Sequence, residues 1–382
     1  MCTEWKTYEL GTLLSYEQPT AYIVESTDYN DNYQTPVLTA GKSFIIGYTN
    51  ETSGIYKSLP VIIFDDFTTS SQYVNFPFKV KSSAMKILSP NTELVLPKFI
   101  YYRMQIIQFD HSTHKRYWIQ QYSKIKVKIP PIPEQERIIC KIEELFSKLD
   151  ASVAELKTAK EKLKVYRQAV LKEAFDSVQA NSKRVTIKSV CETIKVGIVI
   201  KPTQYYVEQG GVFAFRNANV RRNYIEDKDW AMISQEGHQK NLKSQVHIGD
   251  VLIARSGVNL GMAATVPQKY DGYNAIDVVI AVPKKEFILS QYLAQYTNSP
   301  YGLEIVRKNQ HGAAQGHLNV KEYGNLPIFL PNIPEQYSLL KKIESRLSVC
   351  DNIEQTIDTS LQQAEALRQS ILKQAFEGAL AT

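Results

Sequence analysis

Apolar residues recur every three or four positions along two long stretches of the chain. The first stretch runs from Ile142 to Val170 and the second from Ile343 to Ile371, and this is the period of an amphipathic helix. Neither stretch contains a proline or a glycine. Pro133 precedes the first, where a proline is accepted because the first helical turn needs no amide donor. The pattern therefore predicts two uninterrupted helices of about 45 residues.

The apolar positions of each predicted helix form one seam. A helix of about 45 residues is roughly 65 Å long at 1.5 Å per residue, which is too long to bury its seam against one small domain. We therefore expect the two helices to pair as an antiparallel coiled coil, irregular where the spacing slips between Leu156 and Ala159. The alternative is that each helix packs separately against its neighbouring globular segment. The seam comprises Ile142, Phe146, Leu149, Val153, Leu156, Ala159, Leu163, Tyr166 and Val170 in the first helix, and Ile343, Leu347, Cys350, Ile357, Leu361, Ala364, Leu367 and Ile371 in the second.

The two helices are copies of one sequence. When the chain is shifted by 201 residues, the motif Pro-x-Ile-Pro-Glu-Gln at 130–135 falls on its second occurrence at 331–336, and the match continues without a gap. An internal repeat of this kind is typical of a duplicated architecture. Gly378 is expected to end the second helix. The later aligned residues are Lys141–Glu143 with Lys342–Glu344, Asp150 with Asp351, Arg167-Gln168 with Arg368-Gln369, Leu171-Lys172 with Leu372-Lys373, and Ala174-Phe175 with Ala375-Phe376.

A globular segment precedes each predicted helix. Both segments are rich in short runs of β-branched and aromatic residues, separated by turn signals such as Gly249-Asp250 and Asp271-Gly272, and this pattern indicates strands. Each segment also carries a shorter predicted helix, over 96–109 in the first and 288–297 in the second. The strand-like runs include Val61–Phe64, Phe76–Val80, Val212–Phe215, Val251–Ala254 and Val278–Ala281.

Together these elements predict an α+β fold with a pseudo-two-fold repeat. Two globular domains of mixed α/β structure alternate with two long helices, and the 382 residues leave room for such an arrangement. The expected boundaries are 1–131 and 181–331 for the globular domains, and 132–180 and 332–382 for the long helices.

Composition and charge narrow the functional classes. The 45 Lys and Arg against 39 Asp and Glu give a formal net charge of +6, which permits binding to a polyanion without requiring it. The opening residues are polar and no apolar run approaches the ~18 residues of a spanning helix, so we expect a cytoplasmic protein. Cys2, Cys140, Cys191 and Cys350 lie far apart, so free thiols are expected rather than a zinc site or disulfides. The 23 tyrosines suit a polar contact surface and equally suit half-buried strands.

The order globular, helix, globular, helix, with Pro-x-Ile-Pro-Glu-Gln opening each helix, resembles the specificity subunit of type I restriction-modification systems. The resemblance covers essentially the whole chain. It implies that each globular segment is a target-recognition domain that reads one half of a bipartite site in double-stranded DNA, and that the paired helices hold the halves apart. It also implies two docked adenine-N6 methyltransferase subunits, which bind S-adenosylmethionine. Translocating restriction subunits, which bind ATP and Mg, can add to that assembly.

Local stretches of the globular segments are similar to recognition-domain subtypes of this family. One subtype is matched by Thr35–Gly41, Pro60–Thr68 and Phe78–Val80 in the first segment. Another is matched by Gly249–Gly257 and His311–His317 in the second. These matches are weaker than the duplicated helix motif, because recognition domains diverge with the DNA sequence that they read.

The chain lacks motifs for the reactions that such assemblies catalyse. We find neither a Gly-rich S-adenosylmethionine loop nor an Asn-Pro-Pro-Phe motif, so a non-catalytic chain without a cofactor of its own is expected. Gly41-Lys42-Ser43 lacks the earlier glycine of a phosphate-binding loop, because Pro36 holds that place. His111 and His114 have metal-like spacing but no further ligand nearby in sequence. Asp65-Asp66 at a strand end is interpreted as polar loop chemistry rather than as a nuclease pair.

The sequence leaves two other functional classes open for this protein. The first is a coiled-coil scaffold for protein interactions, without specific DNA readout. The second is a self-sufficient restriction enzyme, which the missing methyltransferase motifs disfavour.

DNA recognition needs cations for phosphates and flat polar groups for base edges, on loops that project from a rigid domain. The segment 216–222 is the strongest, since it combines three guanidinium groups with two amides; any single candidate could equally be a solvated surface group. Candidates in the first domain are Lys42, Ser43, Thr49, Asn50, Thr68, Thr69, Lys79, Lys81, Ser82, Lys115, Arg116 and Tyr117. Candidates in the second are Lys201, Arg216, Asn217, Asn219, Arg221, Arg222, Arg255, Ser256, Lys308, Gln310, His311 and Gln315.

Overall fold

The chain forms two compact units in a computed structural model. The structure describes residues 4–41, 43–109, 116–308 and 317–377, with the backbone alone for 305–308. Across these ranges, no helix is both long enough and apolar enough to cross a membrane. Unit 1 comprises Met1–Leu156 and Thr359–Thr382, and unit 2 comprises Lys157–Asp358.

Unit 1 consists of short strands, three short helices and parts of both long helices. Its strands are β1 (Lys6–Glu9), β2 (Leu14–Glu17), β3 (Thr35–Leu38), β4 (Ile45–Thr49), β5 (Val61–Asp65), β6 (Ser71–Val74), β7 (Lys79–Val80), β8 (Met85–Pro90) and β9 (Lys126–Ile129). Its helices are α1 (Leu10–Leu13), α2 (Pro97–Met104), α3 (Tyr117–Gln120), the first part of α4 (Ile132–Gln179) and the end of α9 (Ile333–Phe376).

The strands of unit 1 form three sheets. The main sheet is antiparallel with the order β2-β8-β5-β6. A smaller sheet has the order β4-β3-β7, in which β3 pairs antiparallel with β4 and parallel with β7. β1 and β9 form an antiparallel ribbon, which brings the start of unit 1 to the strand that precedes α4.

Unit 2 is built in the same way from the second half of the chain. Its strands are β10 (Lys183–Thr186), β11 (Cys191–Val196), β12 (Val212–Phe215), β13 (Ala231–Ile233), β14 (Val251–Ala254), β15 (Ala263–Thr265), β16 (Asn274–Ala275), β17 (Val278–Pro283) and β18 (Pro327–Leu330). Its helices are the end of α4, α5 (Gln235–Lys240), α6 (Ser290–Asn298), α7 (Pro300–Lys308), α8 (Val320–Gly324) and the first part of α9 (Ile333–Phe376).

The sheets of unit 2 repeat those of unit 1 strand for strand. The main sheet has the order β11-β17-β14-β15, the smaller sheet has the order β13-β12-β16, and β10 pairs with β18. Here too the smaller sheet combines one antiparallel pair with one parallel pair. The two units therefore share one topology, although only their helices are visibly alike in sequence.

The central strand of each main sheet is buried on both faces. In unit 1, Ile62 lies in the core that includes the long helices, whereas its neighbour Ile63 lies in the core shared with the smaller sheet. In unit 2, Ile253 and Leu252 divide in the same way between two cores. Because both faces are covered, these strands appear in the sequence as continuous apolar runs rather than as alternating patterns.

Each long helix supplies side chains to the core of both units. Ile142 of α4 lies in the core of unit 1, and Leu171 lies in the core of unit 2. Their repeat-related partners on α9 are exchanged, since Ile343 lies in the core of unit 2 and Leu372 in that of unit 1. The helix repeat thus provides each unit with the same set of core side chains.

The long helices run antiparallel to each other. In unit 2, Lys160 Nζ lies 2.6 Å from Asp358 Oδ1 and Arg167 NH1 lies 2.7 Å from Asp351 Oδ1, so residue numbers rise on α4 as they fall on α9. The predicted antiparallel pairing is confirmed, and the long helices contact each other as well as the globular segments.

One ion pair between the long helices has a repeat-related counterpart in the other unit. Arg167 pairs with Asp351 in unit 2, and the repeat-related Arg368 pairs with Asp150 in unit 1. The predicted seam is wrong at Ala159, which is exposed, and at Tyr166 and its repeat partner Leu367, which are 47% and 51% exposed. Arg167 occupies the inward position instead, because it lies four residues after the buried Leu163 and three before the buried Val170. The positions follow the 3.6-residue turn rather than a strict heptad.

The shorter helices differ from the prediction in length. The helix predicted over 96–109 ends at Met104, and residues 105–106 form a turn. The helix predicted over 288–297 spans Ser290–Asn298. Helix α7 was not predicted, and Gly378 lies outside the described residues.

Gln135, the last residue of the first helix-opening motif, is fully buried. Its Oε1 accepts a hydrogen bond from the amide of Leu96 at 2.7 Å, and its Nε2 donates to the carbonyls of Leu94 at 3.0 Å and Pro130 at 2.8 Å. Leu96 is the residue that begins α2. One side chain therefore joins the start of α4 to the start of α2.

Gln336 makes the same connections in unit 2 and is also fully buried. Its Oε1 accepts from the amide of Leu289 at 2.9 Å, and its Nε2 donates to the carbonyls of Phe287 at 2.8 Å and Pro331 at 2.9 Å. Leu289 begins α6. The glutamine of the duplicated motif is thus an anchor between a long helix and its globular segment, a role that the sequence did not suggest.

Candidate nucleic-acid interface

Several loops of unit 1 meet where β5 ends and β8 begins. The amide of Asp66 donates to the carbonyl of Ala84 at 3.0 Å, and the amide of Tyr117 donates to the carbonyl of Asp66 at 2.9 Å. The amide of Lys81 donates to the carbonyl of Leu38 at 3.1 Å, which brings the turn after β3 to the same edge. We call residues 39–41, 43–44, 65–70, 81–84 and 116–118 the first rim.

A buried ion pair lies beneath the first rim. Lys86 Nζ is 3.3 Å from Asp66 Oδ2, and their side chains are 0% and 1% exposed. Asp66 Oδ1 accepts a hydrogen bond from the amide of Trp118 at 2.7 Å. Asp66 was interpreted from the sequence as polar loop chemistry, but it is an internal group that ties three loops together.

The turn that follows β5 is closely braced. Asp65 Oδ1 accepts hydrogen bonds from the amides of Phe67 at 2.9 Å and Thr68 at 2.8 Å. Thr69 has φ +56°, a left-handed conformation that is an outlier for a β-branched residue. Such strain persists where surrounding contacts impose it, and it concentrates at functional sites.

The structure places six of the twelve first-domain candidates at the surface of the first rim, and a seventh, Tyr117, lies within the rim but is buried. Ser43 and Lys81 are exposed there, Ser82 is half-buried, and Arg116 is exposed just before α3. Asn50 follows the other end of β4 and is separate from this group. The remaining rim candidates are Thr68, which is exposed, and Thr69, which is half-buried.

Three first-domain candidates are internal and have almost no surface to present to DNA. Thr49, Lys79 and Tyr117 are each 2% exposed. Lys79 Nζ lies 2.6 Å from Glu51 Oε2 and donates to the carbonyl of Ser53 at 2.9 Å. Burial alone would raise the pKa of Glu51, but hydrogen bonds from Lys79 and from two backbone amides hold that pKa below its ordinary value. Lys79 is therefore corrected from a phosphate contact to an internal ion-pair partner.

Unit 2 has a second rim at the corresponding strand ends. The amide of Leu318 donates to the carbonyl of Arg255 at 3.0 Å, the counterpart of the bond between Tyr117 and Asp66, and Leu318 follows Tyr117 by the 201 residues of the repeat. The amide of Asp277 donates to the carbonyl of Ile198 at 3.1 Å. The second rim comprises residues 198–201, 216–219, 255–259, 276–277 and 317–318.

Asp277 connects the loops of the second rim. Its Oδ1 accepts a hydrogen bond from Arg255 NH1 at 2.9 Å, and its Oδ2 lies 3.4 Å from both Ser256 Oγ and Asn217 Nδ2. It has φ +53°, which makes it a second strained residue at a rim. Sequence reasoning missed Asp277. The available signal was a single acid directly before the apolar run that begins at Val278.

Asn217 lies at the centre of these contacts. Its Oδ1 accepts from the amide of Arg255 at 2.7 Å, and its Nδ2 donates to Ser256 Oγ at 2.8 Å. A pocket of about 610 Å³ opens beside it, lined by Arg216, Asn217, Ala218, Asp229, Ile276 and Asp277. The pocket is lined by a guanidinium, an amide and two acidic residues, and such groups can hydrogen-bond to base edges.

The segment 216–222 does not act as one surface. Asn219 is 1% exposed, and its amide braces the loop by donating to the carbonyl of Lys228 at 2.8 Å. Arg221 Nε lies 3.6 Å from Glu226 Oε2, whereas Arg222 is exposed. Asn219 is therefore corrected from a base contact to a structural residue, and only the first three residues of the segment, Arg216, Asn217 and Ala218, line the pocket.

The remaining second-domain candidates divide between exposed, paired and undescribed positions. Lys201 is exposed with φ +42°. Arg255 is only 17% exposed because it is paired with Asp277. Lys42, Lys115, Gln310, His311 and Gln315 lie outside the described residues, as do His111 and His114, and only the backbone of Lys308 is described.

Within the described ranges, no group of three or more His, Cys, Asp or Glu side chains is arranged to hold a metal ion. Cys140 is exposed and Cys191 and Cys350 are buried, all three as free thiols. Burial raises the pKa of Cys191 to about 12, so this thiol is unreactive near neutral pH.

The fold and the rims define a class of protein: a duplicated α+β chain with two units of one topology, each with a polar rim at equivalent strand ends. No family model matches the chain. It is 32% identical over 379 residues to the EcoR124I/EcoR124II type I restriction enzyme specificity subunit of Escherichia coli, covering 96% of this chain and 91% of that protein. It is 26% identical over 274 residues to the EcoBI specificity subunit of Escherichia coli, covering 66% of this chain and 58% of that protein.

The chain belongs to the family of type I restriction enzyme specificity subunits. It is a non-catalytic subunit, as expected from the sequence. Solved structures agree on the fold. A structure of a type I restriction-modification system matches with a TM-score of 0.70 at 17% identity, covering 98% of both chains. The HsdS subunit from Thermoanaerobacter tengcongensis matches with a TM-score of 0.50 at 16% identity, covering 98% of this chain and 97% of that one.

Proposed function

We propose that each rim reads one half of a bipartite sequence in double-stranded DNA. The observation that carries this proposal is that the same rim is built twice, at equivalent strand ends of one topology, from different side chains. A fold that holds loops rigidly while their residues vary is suited to recognising different base sequences. Family membership supports the same function.

The side chains of the two rims suit different tasks. Exposed cations such as Lys81, Arg116, Lys201 and Arg222 can neutralise phosphates, which positions the protein without selecting a sequence. Arg216 can donate two hydrogen bonds to a guanine edge when it exchanges its present contact with the carbonyl of Asp229. Hydroxyl groups on the first rim can contact either kind of base pair.

The long helices serve the assembly rather than base recognition. Their paired surfaces dock two adenine-N6 methyltransferase subunits, which bind S-adenosylmethionine, and two restriction subunits that bind ATP and Mg can join them. The length of α4 and α9 sets the unread spacing between the half-sites. The domain boundaries follow the helices, with recognition domains at 1–131 and 181–331 and spacers at 132–180 and 332–382. The complex acts in the cytoplasm, where its DNA lies.

The test is to sequence methylated DNA from cells that express this chain with its methyltransferase subunit. Replacing residues 1–131 by the corresponding segment of a relative should change one half of the methylated motif and leave the other half and the spacer intact. The reciprocal replacement of 181–331 is the matched control and should change the opposite half. A change in both halves from one replacement would contradict the assignment of one rim to each half-site.

Binding to DNA separates this function from that of a protein-interaction scaffold. The purified complex should prefer the methylated motif over mixed duplex DNA, and binding should weaken as salt rises because phosphate contacts release counterions. Equal binding to all duplexes would favour the scaffold.

A further inference from the structure

The turn that follows the central strand of each main sheet has an apolar side chain at its tip. In unit 2, Val258 follows the end of β14 and is 96% exposed, and in unit 1, Phe67 follows the end of β5 and is 44% exposed. On the first rim, Phe67 is flanked in sequence by acidic and hydroxyl side chains, whereas Val258 shares the second rim with the exposed apolar side chains of Val199 and Ile200 as well as with amide and charged groups. Val258 makes almost no contact with the rest of its unit, and neither Val258 nor Phe67 belongs to a hydrophobic core.

Both turns hold these side chains in place rather than leaving them free to fold back. In unit 2, the amide of Leu260 donates to the carbonyl of Gly257 at 3.1 Å, and Asn259 Nδ2 donates to the carbonyl of Asn217 at 2.9 Å. Gly257 has φ +72°, and a Cβ added there would meet nothing within 4 Å. The tip therefore projects into open space from a turn that is fixed on both sides.

The turn in unit 1 places Phe67 at the same position of the topology, but it is built from different residues. The amide of Phe67 is bound by Asp65 Oδ1 at 2.9 Å, and the left-handed residue is Thr69 rather than a glycine. Two unrelated turn sequences thus place an apolar group at one position of a shared topology. Since the rest of each turn differs, a common task for the apolar group explains the coincidence.

We propose that Val258 and Phe67 each contact the 5-methyl group of a thymine in the half-site read by their own rim. This inference rests on the proposed function and adds two specificity-determining residues to it. In the major groove the thymine methyl is the one apolar feature that a base pair presents, and small aliphatic or aromatic side chains recognise it by contact.

The test removes the thymine methyl and the side chain separately and together. Equilibrium binding of the complex with its methyltransferase subunits is measured on duplexes carrying the methylated motif, with each thymine replaced in turn by deoxyuridine. For the wild-type protein, one such replacement in each half-site should weaken binding about fourfold, the value of one buried methyl group. In Val258→Ala, the loss of affinity caused by deoxyuridine should disappear in one half-site and persist in the other. In Phe67→Ala, it should disappear in the opposite half-site and persist in the first.

Ile248→Ala is the matched control. Ile248 is 48% exposed and precedes β14, at the opposite end of the strand from Val258, so it should leave every deoxyuridine penalty unchanged. Thermal unfolding of each variant should match the wild type, because the altered side chains are exposed. Specific binding with the same deoxyuridine penalty in wild type and variants would overturn this inference alone. A wild-type complex with no sequence preference would overturn the proposed function and the inference with it.

Discussion

Unit 1 and unit 2 place an ion pair at the same strand ends of the same topology, but they exchange its charges. In unit 1 the acid, Asp66, follows β5 and the base, Lys86, lies on β8. In unit 2 the base, Arg255, follows β14 and the acid, Asp277, precedes β17. The pair of unit 1 is 0% and 1% exposed, whereas that of unit 2 is 17% and 33% exposed.

The difference in burial indicates a difference in task. A fully buried pair separated by 3.3 Å lacks access to DNA, so it can act only by holding the loops above it. The pair in unit 2 borders an open pocket and positions Ser256 and Asn217 beside it. We therefore expect the first pair to determine stability and the second to determine binding.

The largest effect is expected from Lys86→Met, which leaves the buried Asp66 carboxylate without its cation. Removing one partner of a buried ion pair costs about 3–5 kcal/mol of unfolding free energy. Urea unfolding measures this loss. The matched variant Arg255→Met should cost about 1 kcal/mol, because this pair is partly exposed and solvent weakens its attraction. Equal losses in the two variants would remove the distinction between the units.

A double variant tests the physical cause of that loss. Asp66→Asn combined with Lys86→Met removes both charges and retains a carbonyl oxygen for the amide of Trp118. It should recover most of the stability lost in the single variant, since no uncompensated buried charge remains. A double variant as unstable as Lys86→Met would show that packing of the Lys86 side chain, rather than charge, is responsible.

The next largest effect is expected from the two anchors, Gln135 and Gln336. Unlike the two ion pairs, the two anchors should contribute equally to the stability of their units. Gln135→Leu or Gln336→Leu removes the partners of one buried amide and two carbonyls, and unsatisfied buried groups cost about 1–3 kcal/mol. Each variant should also loosen one half of the methylated motif, as measured by sequencing. Glu136→Ala, at an exposed neighbouring position, is the control and should alter neither property. A loss confined to one anchor would break the equivalence of the units.

Asp277→Asn should affect binding more than folding. Asparagine tolerates the left-handed backbone at this position, so the unfolding free energy should change by less than about 1 kcal/mol. Loss of the charged partner of Arg255 should weaken binding of one half-site about tenfold, or about 1.4 kcal/mol. The salt dependence of binding should stay the same, because no phosphate contact is removed. Competition binding with variants of each half-site measures these effects, and unchanged affinity would remove Asp277 from the interface.

The smallest effect should come from the ion pairs between the long helices. Arg167→Ala and Arg368→Ala should each cost roughly 0.5 kcal/mol, because the acidic partner in each pair, Asp351 or Asp150, is exposed and solvent weakens the attraction. Urea unfolding at low and high salt measures both the loss and its screening. Arg167 also forms an ion pair with Glu354 at 2.9 Å. Arg167→Ala should therefore be slightly less stable than Arg368→Ala. A salt-independent loss in either variant would indicate lost packing rather than lost charge.

The sequence predicted the helical half of this fold well, because its signal is local. Three local features of the sequence predicted α4 and α9: an apolar period of three to four residues, the absence of helix breakers and an ungapped repeat. The structure contains both helices. The wrong prediction of an inward position for Tyr166 also came from this local pattern. Apolar character suggested an inward position, but the helical turn places Arg167 there, and its ion pairs with α9 compensate its burial.

The candidate site could be predicted only in part. Lysine and arginine residues on loops were recognisable by composition, but composition does not distinguish the exposed Lys81 from the buried Lys79, two residues away. The anchor role of Gln135 was invisible for the same reason, since its partners lie 39 and 41 residues earlier in the chain. Burial and hydrogen bonding depend on which segments meet, and no local pattern records that.

The sequence by itself determined the duplicated helices, the apolar runs of the central strands and the family resemblance. Only the tertiary structure decided that the globular segments share one topology, because strand pairing joins residues far apart and leaves no periodic trace. It also decided which charged groups form ion pairs and which remain on a rim. Desolvation makes an unpaired charge costly inside a protein, so the partners that the fold supplies determine whether a side chain such as Asp66 or Asp277 acts as support or as part of the interface.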